Sequence, residues 1–306
     1  MAPRRGARDE TQSDGTNQAR LLRPDFALGS AINLIPLALY ALALIAYAWH
    51  FARRSPAVGR SATTLLVAAA LAHTFVIGML TMEIGHVPVA GATSAISTFV
   101  WLLALAYLYT EMTTDERAMG VFILPLLVAL QAIPALRPGM EDRAAVLQGP
   151  LFGVHVSSLL FAYASFALAC VIGITYVLLF TEIKAKHLGF FYARLPSLQV
   201  LDRMNQRAIV IGWVFLTLGI IVGVVWAAQA RAGYGAGDPR VQAMSLQDPK
   251  IFVALLCWAV YSFELFAARR IGWGGRRAAY LSAVGFGIVL LNFVPISYFL
   301  TRSHNF

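Results

Sequence analysis

Charge is what this sequence has least of. Only 13% of its 306 residues are Asp, Glu, Lys or Arg, against 59% hydrophobic residues and a mean hydropathy of +0.69. A water-soluble domain carries about a quarter charged residues, because even a large core needs a polar skin. The shortage excludes a soluble globular fold and makes lipid the natural solvent. Cysteine is almost missing too: Cys170 and Cys257 both lie in apolar runs and neither belongs to a Cys-x-x-Cys motif. They read as small buried residues rather than a disulfide or metal pair. Nor is there a nucleophile–base–orienter set, so an enzyme of the usual kind is not expected. An inverted repeat with matching Gly/Pro-broken helices, the mark of many transporters, is also lacking.

Basic residues do outnumber acids, 24 to 15, giving a net charge of +9. They stand in short clusters between apolar runs instead of forming one patch, which argues for topology-setting loops and against a nucleic-acid partner. Residues 1–29 are polar and mixed in charge, without the apolar core and small-residue cleavage site of a signal peptide. They are expected to be a disordered tail before a membrane domain over 30–306, whose first helix acts as its own insertion signal.

Each membrane crossing needs about 20 apolar residues as a helix, which bonds every backbone amide within its own segment. Eight such segments can be read: 32–51, 63–82, 95–112, 118–136, 155–181, 207–229, 250–268 and 278–300. The third is short, and the fourth contains Pro125 and Pro134. The predicted fold is therefore an all-α polytopic bundle of about eight transmembrane helices. Three basic clusters orient it: Arg53, Arg54 and Arg60; Lys184, Lys186, Arg194, Arg203 and Arg207; Arg269, Arg270, Arg276 and Arg277. With eight spans all three share one side, expected to be cytoplasmic, while the loop after the second span has no Lys or Arg. Both termini and the polar, Gly-rich loop of about 230–249 are then expected outside, in a bacterial-type inner (plasma) membrane.

That orientation sorts the six histidines. His86, His155 (opening the fifth span) and His304 fall on the outer side; His50 and His187 fall on the inner side; His73 sits mid-span. Neutral imidazole ligates haem iron, zinc or copper well. A bis-His haem site would need two of them on different segments, an apolar slot and cations for the propionates. His155 and His304 could supply the iron ligands, with Arg231, Arg240, Lys250 and Arg302 on the same side and Trp226, Tyr234 and Phe306 as nearby aromatics. Equally, an interfacial His can be only a cap or headgroup contact. His73 can be functional or a neutral ring bonded to a neighbouring helix. Glu264 can face inward or snorkel toward Arg269. Gly212, Gly219 and Gly223 read as permitting close helix packing.

Four passages carry a family resemblance: "EIGHVPVAGATSAISTFVW" (83–101), "HVSSLLFAYASFALA" (155–169), "GWVFLTLGIIVGVVWA" (212–227), and "GWGGRRAAYLSAVGFGIVLLNF" (272–293), the last followed by the terminal "SHNF". In this order they resemble the CcsA/ResC-type cytochrome c assembly proteins, within the haem-handling superfamily that includes CcmC and HemX. The resemblance implies a haem-binding membrane protein that holds haem b at an external bis-His site for delivery to apocytochrome c. It implies His155 and His304 as axial ligands, with His86, Trp226, Tyr234, Asp238, Arg240 and Lys250 as the possible surround. It also implies a ResB/CcsB-like membrane partner. Two departures stand out. The family's external loop is tryptophan-rich, whereas here no tryptophan lies between Trp226 and Trp258, and only Tyr234, Asp238 and Asp248-Pro249-Lys250 are reminiscent. At the family's helix-7 histidine, proposed for a second haem, this chain has Phe266. These departures favour the alternative of a HemX-like regulator or scaffold without haem delivery.

Overall fold

The computed structural model describes residues 24–137, 145–186, 189–234 and 249–293. Among them are eight long helices: α1 (Pro24–Arg53), α2 (Pro56–Ile84), α3 (Ala92–Thr114), α4 (Gly120–Leu136), α5 (Pro150–Lys184), α6 (Leu198–Tyr234), α7 (Pro249–Phe266) and α8 (Arg276–Phe293). No strand occurs among the described residues. All eight predicted segments fall within or overlap these helices. Six helices are long and apolar enough to cross a membrane, and α4 is a shorter apolar helix of 17 residues. The chain is an all-α polytopic membrane bundle.

Several boundaries differ from the sequence reading. Helix α1 begins at Pro24, where proline's fixed φ suits a first turn, and the rest of the predicted tail lies outside the described residues. Helix α5 begins at Pro150, so His155 stands inside the second turn instead of opening the helix. Helix α6 runs on to Tyr234, about five residues into the predicted external loop, through the good helix formers Ala227, Ala228, Gln229, Ala230 and Arg231. Neither Pro125 nor Pro134 stops α4; each removes one amide donor, and the neighbouring helices of a bundle tolerate that loss. Helix α7 ends in a π-helical turn, Ala267–Ile271, closed by Gly272 in the left-handed region at φ +70°.

The buried and exposed faces are equally apolar, as lipid requires. Helix α2 buries Ala62, Leu66, Ala69 and His73 on one side and leaves Leu71 and Phe75 more than 60% exposed on the other. Helix α5 is the hub: 61% of its apolar stretch is buried, against 50% or less in the other spans, and it packs on α3, α6 and α8. Its longest seam, with α6, is set by glycine. A methyl group added to Gly212 would stand 2.4 Å from the Phe166 ring, one on Gly219 2.7 Å from Leu159, and one on Gly223 2.5 Å from the His155 ring. The 7- and 4-residue steps along α6 match the same steps backwards along α5, so three side chains seat in three glycine notches of an antiparallel pair.

Buried polar groups tie the helices together. Glu111 of α3, 1% exposed, accepts hydrogen bonds from the Tyr47 hydroxyl of α1 at 2.6 Å and the Thr63 hydroxyl of α2. Between α6, α7 and α8, Asn205 donates to Ser282 at 3.1 Å and Ser282 donates to Glu264 at 2.9 Å. Glu264 is 2% exposed and so faces inward rather than snorkelling. Both cysteines are free. Gly212→Ala should lower stability by about 1–3 kcal/mol through overpacking against Phe166, whereas Gly287→Ala, with open space around the new methyl, should be neutral. Thermal unfolding in detergent compares the two, and equal melting temperatures would refute the notch.

Candidate functional site

The loops sort the bundle into two ends. At one, Gly275 N–H before α8 donates to Asp202 of α6 at 2.7 Å, and Arg117 of the α3–α4 loop donates to Thr63 of α2 at 3.2 Å. The three basic clusters belong to this arginine-rich end. At the other end, Val87 of the α2–α3 loop packs on Gly153 at the start of α5, and the turn Ala145–Leu147 covers the last turns of α6.

His155 sits at this second end. Its Nδ1 lies 2.8 Å from the backbone oxygen of Gly219. A carbonyl can only accept, so Nδ1 carries the hydrogen, and in the neutral ring Nε2 keeps its lone pair. The close approach is possible because Gly223 leaves room for the ring. Trp226 stacks on the imidazole, with centroids 5.8 Å apart and planes 20° from parallel. The indole is itself held: Nε1–H donates to the Val146 oxygen at 3.3 Å, and Phe152 packs at 5.1 Å. The imidazole is thus fixed in tautomer, tilt and height by three separate contacts.

His86 lies in the Gly85–Gly91 loop, whose Val87 touches α5 two residues from His155. Its Nδ1 is 3.1 Å from the Val87 oxygen, so it too is an Nδ1–H tautomer in the neutral ring. Tyr234 ends α6 and Lys250 is the second residue of α7; this puts both at helix termini on either side of residues 235–248. His304, Asp238 and Arg240 lie outside the described residues, as do Arg302, Phe306 and His187.

Mid-membrane His73 is a different case. It is fully buried, with Nδ1 3.1 Å from the Tyr40 hydroxyl and Nε2 2.9 Å from the Ser97 hydroxyl. Both nitrogens are therefore engaged with neighbouring helices, and the ring is a polar tie across α1, α2 and α3. Phe266, at the end of α7, is 55% exposed. No group of three or more His, Cys, Asp or Glu able to hold a metal ion occurs among the described residues. Sequence reasoning missed Phe152, the Val146 carbonyl and the role of the Gly219 carbonyl. The Gly-x6-Gly-x3-Gly spacing on α6, facing a helix with His at one end, was the available signal.

A sequence model of the family described as Cytochrome C assembly protein matches residues 31–305. The chain belongs to this family. Curated relatives named "Cytochrome c biogenesis protein CcsA" agree over most of their length. The one from Guillardia theta is 26% identical over 269 residues, covering 81% of this chain and 85% of the relative. Those from Prochlorococcus marinus (strain MIT 9303) and Synechococcus elongatus (PCC 7942) are each 25% identical, over 304 and 288 residues, covering 89% and 79% of this chain and 92% and 85% of theirs. Membership joins two observations made independently of it: a polytopic bundle, and a histidine whose Nε2 has no partner among the described residues, at the end away from the three basic clusters.

His73→Ala would leave the Tyr40 and Ser97 hydroxyls buried without their partner, at about 1–3 kcal/mol. The expected result is a lower melting temperature in detergent; an unchanged melting temperature would refute the tie.

Proposed function

We propose that this protein acts in cytochrome c maturation by holding haem b, as cargo, at the end opposite the arginines and presenting it to apocytochrome c. His155 and His304 are the axial ligands in this reading. The arginine-rich end faces the cytoplasm across a bacterial-type plasma membrane, and a ResB/CcsB-like membrane protein is the expected partner. The observation that carries the proposal is the His155 setting. A backbone carbonyl on Nδ1–H fixes the tautomer, raises the basicity of Nε2 and aims it, which is the usual second sphere of an iron-ligating imidazole. A structural histidine of the His73 kind spends both nitrogens on its neighbours; His155 spends one.

Trp226 has a defined part. An axial imidazole stands roughly perpendicular to the porphyrin, so a ring stacked parallel to His155 steers the ligand rather than lying on the haem face. That leaves the haem platform, which is tryptophan-rich in the resembled family, to Tyr234 and the 235–248 loop, with Arg240 and Lys250 available to the propionates and His86 beside the site. The scarcity of aromatics there favours one second reading: a scaffold of the HemX kind that keeps the fold without delivering haem.

Protein purified from haem-replete cells should show a Soret band that weakens at least tenfold in His155→Ala and in His304→Ala. Gly223→Ala should weaken it too, because the added methyl displaces the His155 ring. Absence of any Soret band, with cytochrome c maturation intact in the double histidine variant, would favour the scaffold.

A further inference from the structure

The end of α1 forms one wall of a cavity of about 250 Å³ at the arginine-rich end of the bundle. The α3–α4 loop and the short helix Phe190–Arg194, with the Leu195-Pro196 step after it, form the others. Phe51 seats that short helix: its ring lies 5.8 Å from Phe190 and 5.6 Å from Phe122 of α4. Phe51, Leu195 and Pro196 are buried and give the cavity an apolar wall. Arg54 and Arg194 give it two guanidinium groups. His50, in the last turn of α1, adds an imidazole whose Nδ1 lies 2.9 Å from the Ser55 oxygen and whose Nε2 has no partner among the described residues.

The two cations lack an anion. Neither has a carboxylate within salt-bridge distance among the described residues, where the ion pairs belong to Arg117. The Arg194 guanidinium lies over the Phe190 ring, 4.4 Å from its centroid; the ring steadies the cation but does not neutralise it. One acid also faces the cavity, Glu116, and its carboxylate accepts the Ala118 N–H at 2.9 Å. Two guanidinium groups against one carboxylate leave the lining positive. Arg54 also occupies a position that glycine would fill more easily. Its φ is +52°, in the left-handed region, and its N–H closes α1 on the His50 oxygen at 2.7 Å. Helix termination alone would favour glycine at that conformation, so the arginine side chain is what the position retains.

The surroundings say what kind of anion fits. Trp49, next to His50 on α1, and Phe190 and Tyr192 of the short helix are all exposed. Tryptophan and tyrosine in that setting mark the depth of the lipid headgroups. A basic pocket between helix ends at this depth suits the headgroup of an anionic phospholipid. Its phosphodiester takes charge-assisted hydrogen bonds from both guanidinium groups. Beside an anion the imidazole takes up a proton, and Nε2–H then becomes a further donor. The glycerol and the first acyl carbons meet Phe51, Leu195 and Pro196. Inorganic phosphate would use the cations but has nothing to set against the apolar wall. We infer that Arg54, Arg194 and His50 hold the phosphate of an anionic phospholipid, which ties the end of α1 to the segment between α5 and α6. This inference stands apart from the haem reading above.

Native mass spectrometry of the full-length protein in mild detergent tests it, with phosphatidylglycerol and phosphatidylcholine of matched chains added in equal amounts. Wild-type protein should retain phosphatidylglycerol in preference. Arg54→Gln with Arg194→Gln should lower that retention at least fivefold, roughly the worth of one basic residue at a membrane surface. Arg269→Gln with Arg270→Gln removes the same charge from exposed positions outside the cavity and should leave retention unchanged. Glu116→Gln, whose amide oxygen still accepts the Ala118 N–H, should raise it, and this gain decides the matter if the double arginine variant folds poorly. Equal retention of the two lipids by the wild type, or unchanged retention in Glu116→Gln, would overturn the site. Equal losses in the two arginine pairs would replace it with a diffuse surface attraction. Inorganic phosphate added to lipid-stripped protein should raise the melting temperature less than phosphatidylglycerol does. An equal or larger rise that depends on Arg54 and Arg194 would overturn the lipid in favour of free phosphate.

Discussion

The close approach of α5 and α6 is the constraint on which the rest depends. Lipid offers no hydrophobic gain for bringing two apolar helices together, so packing and hydrogen bonds must hold them. Gly212, Gly219 and Gly223 turn one face of α6 into a row of notches, and Phe166, Leu159 and His155 fill them. The same seam that makes α5 the hub of the bundle brings the Gly219 carbonyl within 2.8 Å of His155. Structure and candidate chemistry therefore share one interface, and displacing either helix would release the imidazole. Phe166 carries the seam onward by stacking on Tyr261 of α7, centroids 3.6 Å apart.

The polar groups inside the bundle fall into two classes by how they spend their hydrogen bonds. Glu111, His73 and Ser282 meet partners on two or more other helices and act as ties. His155 and His50 use one nitrogen on a backbone carbonyl, and each ring is seated over a glycine. Burial alone would have ranked fully buried His73 as the most telling histidine. Counting its satisfied nitrogens reverses that order, because a ligand needs a lone pair to spare.

Much of the fold was legible because hydropathy is a strong signal when the solvent is lipid: all eight segments correspond to helices, and the basic clusters gather at one end. What escaped was where helices continue past their apolar stretches. Helix α6 runs through Ala227–Tyr234 and α5 starts at Pro150, because backbone hydrogen bonding outlasts the hydrophobic run. Of the site, His155 and Trp226 could be named from sequence and placed on one side. Their mutual stacking, the Val146 carbonyl on the indole and the Gly219 carbonyl on the imidazole are products of tertiary packing, which periodicity does not encode. The histidines could not be ranked from sequence either, since mid-span His73 and terminal His50 look alike until their partners are known.

The central claim is that the α5–α6 seam presents His155 as an iron ligand. Exogenous imidazole tests it most directly. With ferric haem bound to the protein, electron paramagnetic resonance should report a low-spin, six-coordinate iron. Converting His155 to glycine should give a high-spin signal, and added imidazole, entering the space left by the side chain, should restore the low-spin one. A low-spin signal that survives His155→Gly without imidazole would show that iron is held elsewhere and contradict the account.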